Sequence, residues 1–419
     1  MKKIENIDAD IVMKYTKMIS RREHSMELLI KNVRVVDWAQ DFYGDVYINK
    51  GKVYEIGKHL SKECDTIDGR GKTLMPAFVD LHVHFREPGF THKEDILSGS
   101  RAAVRGGYTT VNLMGNTNPV CSSMDVVNYV KEKAKEIGLV DVNQVITITN
   151  NLQGKDISHL DTLPLTVKFI SDDGKGVADN KITLDAMIKA KAKGITIMSH
   201  AENPEMSKVD MRMAENLMTW RDIELAKFTG CKLHMSHVST KEAMEYVING
   251  KKQGAKLTCE VAPHHIALWG EGYRVNPPIR EIEDVNYLIK AIQEGYVDAI
   301  ATDHAPHTEE DKKNGAPGIS GIETSFAICY TSLVKGDKIS LNKLSEIMSK
   351  RPAEIMGLNK GQINIGFEGD LTLIDLEKEY TIDSEKFLSK GKNTPFNGKK
   401  VYGEVLMTIK GGKVVYSNQ

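Results

Sequence analysis

The tripeptide His82-Val83-His84 closes the apolar run Ala77-Phe78-Val79-Asp80-Leu81 and opens into Phe85-Arg86-Glu87-Pro88-Gly89. Side chains two apart on a strand point to the same side, so both imidazoles can bind one metal ion at the strand's carboxyl end. The same kinds of residue recur after later apolar runs, at Ser171-Asp172-Asp173-Gly174, His200, His237 and Asp303. A lone histidine after a strand is more often a hydrogen-bonded structural residue than a ligand, but several strand ends converging with His and Asp reverse that expectation. Imidazole and carboxylate are ligands for zinc or a similar divalent ion, and with a bridging carboxylate they suffice for two. Two adjacent ions can hold a hydroxide between them at neutral pH. No Ser-His-Asp or Cys-His arrangement competes, and the pairs Gly106-Gly107 and Gly411-Gly412 lack the phosphate-loop pattern.

Convergence needs a scaffold. Strand signals run at 78–82, 109–114, 144–149, 165–170, 195–199, 232–236, 256–261 and 298–302. Helical patterns lie between them at 94–105, 124–137, 182–193, 206–228, 240–253 and 283–294, most followed by a stop glycine (Gly106, Gly138, Gly194, Gly230, Gly254, Gly295). Eight strand-helix units predict an α/β fold, a (β/α)8 TIM-type barrel whose site lies at the strands' carboxyl ends. The third unit is weakest, with only a short helical pattern at 152–163, and a doubly wound open sheet is the alternative. Short strands at 28–36, 45–48 and 52–56 precede the barrel, and others at 370–375, 405–410 and 413–416 follow it. The expected organisation is a loose extension (1–25), a small composite β-sandwich domain built from both termini (26–75 and 359–419), and the catalytic barrel (76–358).

Composition narrows the function. A chain of 419 residues with 41% hydrophobic content can bury a large core, and a formal net charge of -1 argues against a dedicated nucleic-acid binder or a polybasic membrane anchor. A small-molecule substrate is expected. Neither a spanning helix nor a signal peptide is legible, and five scattered cysteines suit reduced packing thiols in a cytoplasm.

From Asp80 to Glu94 the chain reads Asp-Leu-His-Val-His-Phe-Arg-Glu-Pro-Gly-Phe-Thr-His-Lys-Glu. There follow Gly106-Gly-Tyr-Thr-Thr110, Asn116-Thr-Asn-Pro119, Ser171-Asp-Asp-Gly174, His237-Val-Ser-Thr-Lys241, Glu260-Val-Ala-Pro-His-His265, Asn276-Pro-Pro-Ile-Arg280, Ala301-Thr-Asp-His-Ala-Pro-His307 and Lys390-Gly-Lys-Asn-Thr-Pro-Phe396. With these motifs in this order, residues 26–419 resemble the bacterial two-metal dihydroorotases of the amidohydrolase superfamily. The resemblance implies reversible cyclisation of N-carbamoyl-L-aspartate to dihydroorotate in pyrimidine synthesis. It implies two divalent ions, zinc by expectation, with His82 and His84 on the first, His200 and His237 on the second, and Asp173 bridging. Asp303 would bind the first ion and shuttle the proton of a bridging hydroxide. Arg86, Asn116 and His307 would hold the substrate carboxylate beside His84, with Asn276, Pro317 and Gly318 lining the pocket.

Several residues depart from the family pattern or stay open. Gly115 stands where the family has Pro, Ala201 follows His200 where Cys is usual, and the connection from His200 to the sixth strand is short. Lys168 is at about the position where related cyclic amidases bridge their metals with a carboxylated lysine, although an ordinary strand lysine is the favoured reading. His264-His265 are read as supporting or packing residues. The alternatives are a hydantoinase- or allantoinase-type amidase, against which the Arg86 and Asn116 clamp speaks, and a non-catalytic scaffold for aspartate transcarbamoylase, which would lack ligands. A homodimer and an association with aspartate transcarbamoylase are open expectations.

Overall fold

Strands buried on both faces need helices on one side and a filled interior on the other, and this chain supplies both. The computed structural model describes residues 27–418; the extension expected at 1–25 lies outside the described residues. The first strands are β1 (Leu28–Val36), β2 (Asp41–Asn49), β3 (Lys52–Gly57), β4 (Asp65–Asp68) and β5 (Thr73–Pro76). Then come β6 (Phe78–Val83), β7 (Tyr108–Leu113), β8 (Asp141–Gln144), β9 (Phe169–Ile170), β10 (Thr196–Ser199), β11 (Lys232–Met235), β12 (Leu257–Val261) and β13 (Ala299–Ile300). The last are β14 (Leu371–Thr381), β15 (Lys400–Lys410) and β16 (Lys413–Ser417).

All residues of β6 and β7 are buried, as parallel strands under a helical layer must be. Strands β6 to β8 pair in parallel, as do β9 to β13. Two parallel bridges, Ile146 with Ile170 and Val83 with His304, join these groups into a ring. The open doubly wound sheet is thereby set aside, since it has two free edges. Asp80 pins the closure: its carboxylate accepts the Thr302 hydroxyl at 2.6 Å and the N–H groups of Thr302 and His82 at 3.0 and 3.1 Å.

The weak units differ from expectation for local reasons. The third strand runs Asp141–Gln144, earlier than 144–149, because beyond it Thr147 donates to Cys121 at 2.9 Å and Thr149 to the Asp172 carboxylate at 3.0 Å. Two short turns, Asn150–Leu152 and Ser158–Thr162, stand where a helix would be. The fourth strand starts late because residues 164–167 form a turn, Val167 donating to Pro164 at 3.1 Å. Asp210 caps the helix Met211–Thr229, which therefore starts after 206. Gly106 is right-handed (φ -78) rather than a left-handed stop; a Cβ there would stand 2.2 Å from the Ile322 carbonyl oxygen, so close packing demands the glycine.

The two chain ends meet in one sheet of order β16-β15-β14-β5-β1-β2-β3, with β4 also on β1. Leu28, Ile30, Val33, Val46, Ile48, Leu74, Leu371 and Ile409 share its core. Lys360 ties sheet to barrel, donating to Asp370 at 2.7 Å, to Thr110 at 3.1 Å and to Asp141. No helix among the described residues is long and apolar enough to cross a membrane.

Candidate active site

The carboxyl ends of β6, β9, β10, β11 and β13 bring His82, His84, Asp173, His200, His237 and Asp303 together, all buried. Asp173 lies at the centre. Its Oδ1 is 3.1 Å from His82 Nε2, 3.3 Å from His200 Nδ1 and 3.8 Å from His237 Nε2, and its Oδ2 is 3.4 Å from His84 Nε2. Asp303 Oδ1 stands 3.1 Å from His84 Nε2 and 3.6 Å from His82 Nε2. His200 alone presents Nδ1, because its Nε2 is engaged by Glu202 at 3.0 Å.

Among the described residues, two sets of donor atoms lie close enough to hold an ion: His82, His84 and Asp303, and His82, Asp173 and His237. His82 Nε2 and Asp173 Oδ1 are buried without a hydrogen-bond partner, a costly state that a cation between them relieves. The residues therefore fit divalent ions. Burial opposes charge here, yet the Asp173 carboxylate raises the His82 imidazole well above its ordinary range, and with Glu202 it lifts His200 to about 9. Against the same burial, neighbouring histidines hold the Asp173 and Asp303 carboxyls well below the usual carboxylate range. Three residues here carry backbone strain: His237, Asp303 and Arg86 are left-handed, at φ 33, 46 and 60.

Glu260 was not singled out as a site residue, although it opens a quoted motif. Its Oε1 takes His82 Nδ1 at 2.9 Å and the His237 N–H at 3.4 Å; its Oε2 takes His234 Nε2 at 3.0 Å. Burial penalises its charge, but the His234 and His82 hydrogen bonds outweigh that and hold the carboxyl at about 2. The signal was an acidic residue inside the apolar strand β12, where burial without a partner is expensive.

At the barrel mouth, Arg86 donates to His307 Nε2 at 3.1 Å and to the Pro306 carbonyl at 3.3 Å, and no carboxylate pairs with it among the described residues. Burial, then the Arg86 charge, pushes His307 down to about 3, so its ring is neutral and can accept that proton. Asn116 joins clamp to ligands, with Oδ1 2.9 Å from His84 Nδ1 and Nδ2 3.5 Å from Asp173. Asn276 reaches Glu202 at 3.4 Å, and a recess of about 480 Å³ opens there. Gly318 packs on His307: an added Cβ would meet its Cδ2 at 3.1 Å and the Ala305 carbonyl at 2.6 Å. Pro317 precedes it on the same loop.

Lys168 is held elsewhere, its ammonium on the Met356 carbonyl at 2.6 Å. His264 and His265 are both buried, with ring centroids 4.2 Å apart, and His265 Nε2 lies 2.9 Å from the Pro277 carbonyl. Cys121, Cys231, Cys259 and Cys329 are buried free thiols. A cleft of about 1080 Å³ lies between the sheet and the barrel around Lys360, Asp141 and Asp370, and contains none of these candidates.

The amidohydrolase family profile matches residues 73–415. The chain belongs to that family. Within the amidohydrolases it groups with the dihydroorotases. One from Clostridium botulinum (strain Eklund 17B / Type B) is 56% identical over 396 residues, covering 93% of this chain and 100% of that one. Another, from Carboxydothermus hydrogenoformans, is 41% identical, covering 93% of this chain and 98% of that one. Among solved structures, the L-hydantoinase of Arthrobacter aurescens superposes with a TM-score of 0.84 at 27% identity, covering 93% of this chain and 96% of that one. The dihydropyrimidinase of Brevibacillus agri NCHU1002 gives 0.85 at 24%, over 94% and 95%, and shows the shared fold.

Proposed function

We propose that this amidohydrolase is a dihydroorotase, interconverting N-carbamoyl-L-aspartate and (S)-dihydroorotate plus water for pyrimidine synthesis. The observation that carries the reading is Arg86, a half-buried guanidinium at the barrel mouth with no carboxylate partner among the described residues. A cation kept from water is stabilised by an anion, and a planar fork suits a carboxylate in two-point contact. Dihydroorotate carries that carboxylate; hydantoins and dihydrouracil do not.

His82, His84 and Asp303 would hold one divalent ion and His200 and His237 the other, with Asp173 between, a nitrogen-oxygen set that suits zinc. When bound, such ions ease deprotonation of water and polarise a carbonyl oxygen. The protein's own groups do the rest. Arg86, Asn116 and His307 fix the ring through its carboxylate, while Asn276, Pro317 and Gly318 bound the pocket. In ring opening, water oxygen bonds to the ring amide carbon, Asp303 takes the proton released, and it returns that proton to the ring nitrogen as the C–N bond breaks. Closure is the reverse.

The test is turnover by the metal-loaded protein of dihydroorotate against hydantoin and 5,6-dihydrouracil. We expect preference for the carboxylate-bearing ring, and faster turnover of the others would overturn the assignment in favour of a hydantoinase-type amidase. A cytoplasmic location, a homodimer and an association with aspartate transcarbamoylase accord with this role. Fractionation and mixing of the two enzymes test them.

A further inference from the structure

The motif Lys390-Gly-Lys-Asn-Thr-Pro-Phe396 lies between β14 and β15, remote in sequence from every candidate ligand, yet Asn393 reaches the barrel mouth. Its side-chain Oδ1 accepts the His307 N–H at 2.9 Å and the Ser320 hydroxyl at 2.8 Å. Its Nδ2 donates to the carbonyls of Gly318 at 3.0 Å and Ala305 at 3.3 Å. The Ser320 N–H adds a bond to the Asn393 main-chain carbonyl at 2.8 Å. A primary amide offers two donors and two acceptor positions, so this set saturates it; the His307 N–H can only donate, which fixes the oxygen end.

The bonds join the two limbs of one loop. The chain leaves the barrel after Asp303, passes Ala305 and His307, and returns at Gly318 and Ser320, with Ala305 donating to Ile319 at 2.8 Å. Close approach is built in from the other side as well. A Cβ at Gly391 would stand 2.6 Å from Pro306 Cβ and from Ser320 Oγ. The His307 ring leads on to Arg86 at 3.1 Å, so Asn393, His307 and Arg86 form one chain of contacts from the second half of the β sheet to the substrate pocket.

We infer that Asn393 is a positioning residue for the substrate carboxylate: it sets the spacing of His307 and Gly318 and, through His307, the place of the Arg86 guanidinium. The inference rests on the reading of Arg86 and His307 as the carboxylate clamp. Truncating the amide frees the His307 N–H, leaves the Ala305 carbonyl without a donor and leaves the Gly318 carbonyl to the Lys312 ammonium alone, so the loop limbs loosen while the ligand cluster keeps its own supports.

The experiment uses the full-length, metal-loaded protein and its Asn393→Ala variant. We expect faster hydrogen exchange in peptides covering 304–320, unchanged metal content, and a KM for dihydroorotate raised on the order of 10²-fold with a smaller change in kcat. Combined with His307→Ala, Asn393→Ala should add little further loss, because both break the same chain of contacts. Unchanged exchange and KM, or losses that add in full, overturn the inference alone. A wild type that does not open dihydroorotate overturns the clamp reading and this inference with it. Should Asn393→Ala not fold, Asn393→Ser, whose shorter side chain lacks both Nδ2 donors and falls short of the His307 N–H, provides the same readouts.

Discussion

Lys168 donates its ammonium to the main-chain carbonyl of Met356 at 2.6 Å, which holds it on the helix Arg351–Met356 and leaves the centre of the histidine cluster to Asp173. Lys168→Met is therefore expected to keep both ions and activity within a few-fold, with no help from bicarbonate or short carboxylic acids. Asp173→Asn should lose at least one ion and nearly all turnover. Metal analysis beside the dihydroorotate assay reads both, and a dead lysine variant revived by such acids would restore the carboxylated-lysine bridge.

Glu260 touches a ligand of each proposed ion, the His82 ring and the His237 backbone. Glu260→Gln keeps the volume and removes the charge that orients His82, so metal affinity should drop by roughly 10- to 100-fold. Chelator competition on the apo-protein measures this without reference to turnover. An unaltered affinity would reduce Glu260 to a packing residue.

Arg86→Met keeps the apolar stem and deletes the fork. Both ions should stay bound, and kcat/KM for dihydroorotate should fall by roughly two to four decades, mostly from lost orientation. Wild-type kinetics in this variant would take Arg86 out of the site.

Asp303→Asn still offers an oxygen to a cation but cannot accept and return a proton. At least one ion and measurable substrate affinity should persist while kcat falls by roughly three decades in both directions, since opening and closure share a transition state. If turnover survived, His307 and His265 would be the next groups to examine as shuttles.

His265 governs part of the stability profile. Burial pushes its pKa to about 3, from the ordinary 6.5 of the unfolded chain. Between those values the unfolded state binds the extra proton, so this contribution is fully present above about pH 6.5 and fades as pH falls toward 3. Denaturant melts of the apo-protein should therefore show stability falling with acid over that window, and His265→Gln should flatten the slope by about 1.4 kcal/mol per pH unit. An identical slope in the variant would mean that His265 does not stay neutral in the fold.

The sequence by itself determined the barrel and the strand-end places of the candidate ligands, because both follow from local rules. Apolar runs, stop glycines and strand-end polar residues repeat along the chain, and a parallel barrel sends every strand end to the same mouth. The helices Met124–Ile137 and Asn180–Lys193 thus lay close to expectation, whereas the third unit, with its weak pattern, became turns. Tertiary structure alone decided orientation. That Lys168 stays off the cluster depends on Met356, 188 residues away. Glu260 joins His82 across 178 residues and Asn393 holds His307 across 86. Periodicity records which face a residue occupies; which partner a side chain meets there is set by packing between elements distant in the chain, and no local pattern carries that information.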